Sequence, residues 1–122
     1  MAAKGYEHAL KHVRSLCLAL PETHEVLAWG HPTFRAGKKM FAVFTGSEEG
    51  RFSVIFKPEA DERPALLAEK RFYVPPYFGP SGWLGLDFTA AAVDWDEVAE
   101  LMEGSYRQVA LKRMLQAMQQ PQ

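Results

Sequence analysis

The sequence predicts an α+β fold, a single-layer twisted antiparallel sheet with helices packed on one face. Three observations carry this expectation. The hydrophobic period lies near 3.6 at both ends of the chain and near 2 in the middle. The strand-like runs between Val26 and Lys57 are joined by short, Gly-containing loops, which favours an antiparallel meander over parallel strands with long crossovers. With 122 residues, 48% hydrophobic and 24% charged, the chain reads as one globular domain, residues 1–122, and not as a disordered tail.

The first helix is expected over Tyr6 to Ala19. Leu10, Val13, Cys17 and Leu20 recur at three or four residues, and Leu16 widens the stripe. Pro21 stops it, because the residue before proline disfavours α geometry. Val26 to Trp29 is apolar and extended, and Gly30-His31-Pro32 punctuates it. Thr33 to Ala36 is a strand, followed by a tight turn at Gly37-Lys38. Lys39 to Thr45 is strand-like, but Met40/Ala42/Phe44 and Phe41/Val43 are both apolar, so its buried face stays open. Residues 46–50, Gly46-Ser47-Glu48-Glu49-Gly50, form a loop. Arg51 to Lys57 then alternates, with Phe52, Val54 and Phe56 on one side and Arg51, Ser53, Ile55 and Lys57 on the other.

Pro58 to Lys70 switches back to helix, with Asp61 as N-cap and Pro64 in the first turn. Phe72 to Val74 and Trp83 to Phe88 are short strands flanking a proline-rich loop, although Gly82 and Gly85 weaken the second. Asp94 and Glu97 form the N-cap and N3 pair of a capping box, with Val93 and Val98 in the staple positions. Gly104 is expected to end or bend that helix, and Ser105 to cap a last one reaching about Met118. The order is helix, three or four strands, helix, two strands, two helices. Such a sheet leaves its other face open to water or to a partner.

Charge and cysteine content bound the function. Fourteen Lys+Arg against fifteen Asp+Glu leave a net charge of -1, so no strong basic field draws the whole molecule onto DNA or acidic membranes. One cysteine, Cys17, cannot make an intrachain disulfide, and a reduced cytoplasmic protein is the expectation. No apolar run approaches the ~20 residues of a membrane span, and Met1 to Gly5 carries no apolar signal region.

The sequence holds no phosphate-loop, dinucleotide, C-x-x-C or H-E-x-x-H motif. Gly79-Pro80-Ser81-Gly82 lacks the spacing of a nucleophile elbow. His8 and His12 lie four apart on a helix, and His24 and His31 lie near Glu22 and Glu25, but each cluster fixes only pairs where a metal needs three or four ligands. The bland reading is preferred: solvated and loop histidines, with Cys17 a core residue. Glu48-Glu49 is a loop pair, and Asp94, Asp96 and Glu97 explain themselves as helix-start chemistry. No catalytic residue, metal or cofactor is expected.

Two features are more suggestive. Arg35, Lys38, Lys39, Arg51 and Lys57 all fall in the meander. If Arg35, Lys39, Arg51 and Lys57 face outward together, they make a basic sheet surface able to meet phosphates. The bland alternative is a wet sheet face lined by Lys and Arg, with edge lysines that block aggregation. Second, Phe72, Tyr73, Tyr77, Phe78 and Trp83 crowd into twelve residues with Pro75, Pro76 and Pro80. Aromatics on a stiff loop can stack bases, or the loop can cover one end of the core.

The run Trp29-Gly30-His31-Pro32-Thr33-Phe34-Arg35-Ala36-Gly37-Lys38-Lys39-Met40-Phe41-Ala42 resembles the signature hairpin of the MmcQ/YjbR-like family. Leu18-Ala19-Leu20-Pro21-Glu22, Gly82-Trp83-Leu84 and Ser105-Tyr106 follow the same pattern in the same order. The resemblance spans about Val13 to Leu115, and the many prolines from Pro75 to Pro80 depart from it. It implies a CyaY-like or secretion-chaperone-like α+β fold with no agreed catalytic residues. Family members are commonly labelled DNA-binding from a "double wing" shape, a fold-level analogy. The signature also reads as fold chemistry, with Gly30 and Gly37 for turns and Trp29 and Phe41 for the core.

The leading expectation is a non-enzymatic binding module with DNA as partner. Arg35, Lys39, Arg51 and Lys57 would meet phosphates, and Tyr77 or Trp83 would stack. The second is a protein- or peptide-binding adaptor, or a homodimer, using the open sheet face with Ile55 and Phe41 or Met40. The third is a small enzyme or metal protein using His24, His31 and nearby glutamates.

Overall fold

The computed structural model describes residues 2–46 and 50–119. Residues 47–49, which hold the carboxylate pair Glu48-Glu49 of the expected loop, lie outside the described residues. Helix α1 (Ala2–Leu18) precedes four strands, β1 (Thr23–Ala28), β2 (His31–Ala36), β3 (Lys39–Gly46) and β4 (Phe52–Phe56). A short α2 (Arg63–Leu67), β5 (Phe72–Tyr73) and β6 (Leu84–Asp87) follow, then α3 (Trp95–Val109) and α4 (Lys112–Gln119). The strands form one six-stranded sheet in the order β1-β2-β3-β4-β6-β5, and every described pairing is antiparallel. This is the expected α+β architecture.

The helices cover one face. Val13 and Cys17 of α1, Val98, Met102 and Tyr106 of α3 and Met114 of α4 pack on Phe34, Phe44, Val54, Phe56 and Leu84 of the sheet. Burial raises the Cys17 thiol pKa well above its ordinary value, so Cys17 stays a neutral core side chain. Arg14 of α1 donates to both carboxylate oxygens of Glu25 on β1 at 2.6 and 2.9 Å, which fixes α1 against the first edge strand.

The ambiguous strand β3 resolves through a bulge. Phe34 pairs with Ala42 but Arg35 pairs with Met40, so Phe41 is an extra residue. The slip turns both Phe41 and Ala42 into the helix-side core, and Val43 falls on the opposite face with Thr33 and Ile55. Ser105 anchors this irregular point. Its hydroxyl donates to the Phe41 carbonyl at 2.6 Å and accepts from the Lys57 amide at 2.9 Å. Gln108 donates to the Lys57 carbonyl, and the Tyr106 hydroxyl donates to the Pro21 carbonyl at 2.7 Å. The Ser105-Tyr106 pair therefore ties α3 to two strands and to the end of the first connection.

Several boundaries differ from the sequence-based expectation. The helix expected over Pro58 to Lys70 contracts to five residues, with Glu62 and not Asp61 at its N-cap. Only Leu66 and Leu67 offer it apolar contact, too little to hold a longer helix. Strand β1 starts at Thr23, three residues early, because it pairs residue by residue with β2. Asp94 does cap α3, accepting from the amides of Asp96 and Glu97. Glu97 does not reach back, since its carboxylate takes two bonds from Arg71. Gly104 does not end α3, and Ser105 is not a cap. The helix runs to Val109 because Ser105 and Tyr106 are bound to the sheet, and that packing overrides glycine's low propensity. The break falls at extended Ala110 instead.

Candidate functional site

The face of the sheet away from the helices is a cavity and not a flat platform, and Val43, Ser53 and Ile55 at its base are buried. Its volume is about 730 Å3. Val43 and Thr45 of β3 with Ser53 and Ile55 of β4 make the floor. Trp29 and His31, at the tip of the β1–β2 hairpin, come from one edge of the sheet. Tyr73, Pro75, Pro76, Tyr77 and Phe78 come from the other edge, and Arg51 joins them from the start of β4.

Local sequence chemistry sets each wall. Ala28 pairs with His31, which leaves Trp29-Gly30 as a two-residue hairpin turn. Both take positive φ, 54° and 78°, as a type I′ turn requires. Glycine accepts this without strain, but tryptophan does so at a cost of about 1–2 kcal/mol. Trp29 is also 71% exposed, which corrects the expectation that it serves the core. On the far side, Tyr73 pairs with Gly85, and a Cβ on Gly85 would collide with the Tyr73 ring. The glycine that weakens β6 as a strand is what lets this ring lie on the sheet. Arg51 then stacks its guanidinium over Tyr73, 4.1 Å from the ring centroid. The prolines hold the remaining wall: the Pro75 carbonyl accepts from the Gly79 amide at 3.0 Å, and Tyr77 is left at φ 68° and 94% exposed.

The structure brings together part of the expected basic and aromatic set. Arg51 and Tyr77 line the cavity. Arg35 lies on the same face, its Nε 3.5 Å from Thr33 Oγ1. Lys57 follows β4 in the same alternation as Ser53 and Ile55, about 20 Å along the strand from Arg51. Lys39 pairs with Ala36, a helix-side core residue, and so leaves the sheet on the other face. Trp83 sits outside the cavity lining, its ring tilted against Phe78 at 5.9 Å. None of the four cations makes an ion pair with a described carboxylate. The pairs that form use Arg14, Arg71, Arg107 and Arg113 instead. The described lining holds no carboxylate and no cysteine.

The histidine clusters resolve differently. His12 stacks on Trp95 of α3 at 4.1 Å, with His8 edge-on to both. His31 lines the cavity, while Glu22 and Glu25 are bound to Arg113 and Arg14. Among the described residues no group of three or more His, Cys, Asp or Glu is placed to hold a metal ion. No described helix is long and apolar enough to cross a membrane.

Sequence reasoning missed Trp29 as a cavity residue. The available signal was its place before Gly30 in a two-residue turn, where asparagine or aspartate is the usual residue.

A one-sided sheet whose two edges fold over a shared, aromatic-walled cavity defines a small α+β binding scaffold. Residues 18–108 match the YjbR family, and the chain belongs to it. The match takes in the whole sheet and nearly all of α3, and α4 lies outside it. A comparison with curated proteins gives no match.

Proposed function

We propose that this YjbR-family chain is a non-enzymatic binding module that takes DNA, as a single strand, on the open face of its sheet. The observation that carries this reading is the company kept by Arg51. Its charge sits against an aromatic ring at the end of a cavity walled by exposed aromatics, with no described carboxylate within ion-pair distance. Arg35 and Lys57 add positive charge to the same face. Phosphates neutralise such groups and release counterions, while aromatic faces accept unpaired bases of any sequence. A duplex keeps its base faces stacked inside and offers phosphates and groove edges, but no base face for the aromatic walls. The apolar side chains of the floor, Val43 and Ile55, are already buried, so a protein or peptide partner, or a second copy of the chain, gains little apolar burial there and still leaves the Arg51 charge to be matched.

Fluorescence anisotropy with single-stranded and duplex DNA across a salt series tests the proposal. Single strands should bind more tightly. The logarithm of affinity should fall with the logarithm of salt at a slope of about -2 if three cations each meet a phosphate. Replacing Arg51→Glu and Lys57→Glu together should abolish binding at moderate salt. Absence of binding at low salt, or affinity indifferent to the double replacement, contradicts the reading. Concentration-dependent light scattering that this double variant abolishes, with no DNA binding by the parent chain, favours self-association through the same face.

A further inference from the structure

Three described non-glycine residues have positive φ: Glu22, Trp29 and Tyr77. The two aromatic ones stand in the cavity walls, one from each edge of the sheet. At 71% and 94% exposure, neither gains core burial in exchange for its strained backbone. Neither has the short polar side chain by which asparagine or aspartate relieves this conformation locally. Backbone strain of this kind persists where the surrounding fold over-determines it, and it concentrates at ligand clamps.

We infer that Trp29 and Tyr77 are the jaws of a clamp for one unpaired nucleobase of a single strand, whose flanking phosphate is received by Arg51. The inference rests on the nucleic-acid reading above and adds the occupant of the cavity. A flat heteroaromatic ring suits two aromatic walls, and about 730 Å3 falls within the ~300–1,000 Å3 of ordinary small-ligand sites. The Tyr73 ring fixes the Arg51 guanidinium before the ligand arrives, so less side-chain freedom is lost on binding. The hydroxyl of Thr45 and the ring of His31 supply donors and acceptors at the floor and wall for the base edge.

The test compares two fluorescent strands of equal length and charge binding to the full chain. One is single-stranded DNA of mixed sequence, and the other is the same sugar-phosphate backbone without bases. The abasic strand should bind on the order of tenfold to a hundredfold more weakly. Tyr77→Ala should weaken the normal strand on a similar scale, and Tyr77→Phe should restore it, because stacking needs the ring and not the hydroxyl. Neither change should alter thermal stability much, as the side chain lies in solvent. Equal binding of the two strands overturns the clamp while leaving the nucleic-acid reading intact. Binding of neither strand overturns both. A free nucleoside monophosphate that displaces the strand at equal concentration overturns the strand as the occupant.

Discussion

On the helix side of the sheet, Phe34, Phe44 and Phe56 are fully buried and meet α1 and α3, whereas on the open side Trp29 and Tyr77 stand mostly in solvent on strained backbone. The same contrast holds for charge. Most arginines on and beside the helices are bound by carboxylates, Arg14 by Glu25, Arg71 by Glu97, Arg107 by Glu103 and Arg113 by Glu22, while Arg63 of α2 has no described ion pair. Those on the open face, Arg35 and Arg51, have no such described partner. One side of the sheet follows the rules that stabilise a fold. The other breaks them at clustered positions, which is where proteins commonly keep binding sites.

Mutations should separate the two sides by size of effect. Phe34→Ala removes a fully buried ring and should destabilise the protein by about 3–5 kcal/mol, read by urea denaturation. The same truncation at Tyr77 should fall within about 0.5 kcal/mol. Similar losses at both positions would erase the distinction. Ser105→Ala should cost about 1–3 kcal/mol, because the Lys57 amide and the Phe41 carbonyl lose a shared partner at the bulge. Replacement by threonine, which keeps the hydroxyl, should recover part of that. A smaller effect belongs to Glu22. The hydrogen bond from Arg113 holds its carboxyl below the ordinary range. The pair therefore adds stability above that range, and the gain is lost as pH falls through the lowered value. Glu22→Gln should make the acid limb of the stability curve slightly shallower, and an identical limb would show that the pair carries no linkage.

Much of the helix side was legible in the sequence. The stripe Leu10, Val13 and Cys17 and the alternation Phe52, Val54 and Phe56 each answer to one local period. The Asp94 cap likewise depends only on residues within a turn of it. Three things lay beyond local pattern. The bulge at Phe41 depends on two neighbouring strands at once, so both registers of β3 looked equally apolar. The continuation of α3 through Gly104 depends on hydrogen bonds to strands more than forty residues away. The cavity arises from the two edges of the sheet, and no window of sequence joins Trp29 to Tyr77. Arg51 and Tyr77 were visible as charge and aromatic content, but the side of the sheet taken by Lys39 followed only from its pairing with Ala36.

The most direct measurement is the Trp29→Asn variant, assayed in parallel for denaturant stability and for single-stranded DNA affinity. Asparagine before Gly30 suits the left-handed turn, so the fold should gain about 1 kcal/mol while affinity drops on the order of tenfold. A variant that is no more stable, or that binds as well as the parent chain, contradicts the claim that this turn is strained in the service of a ligand.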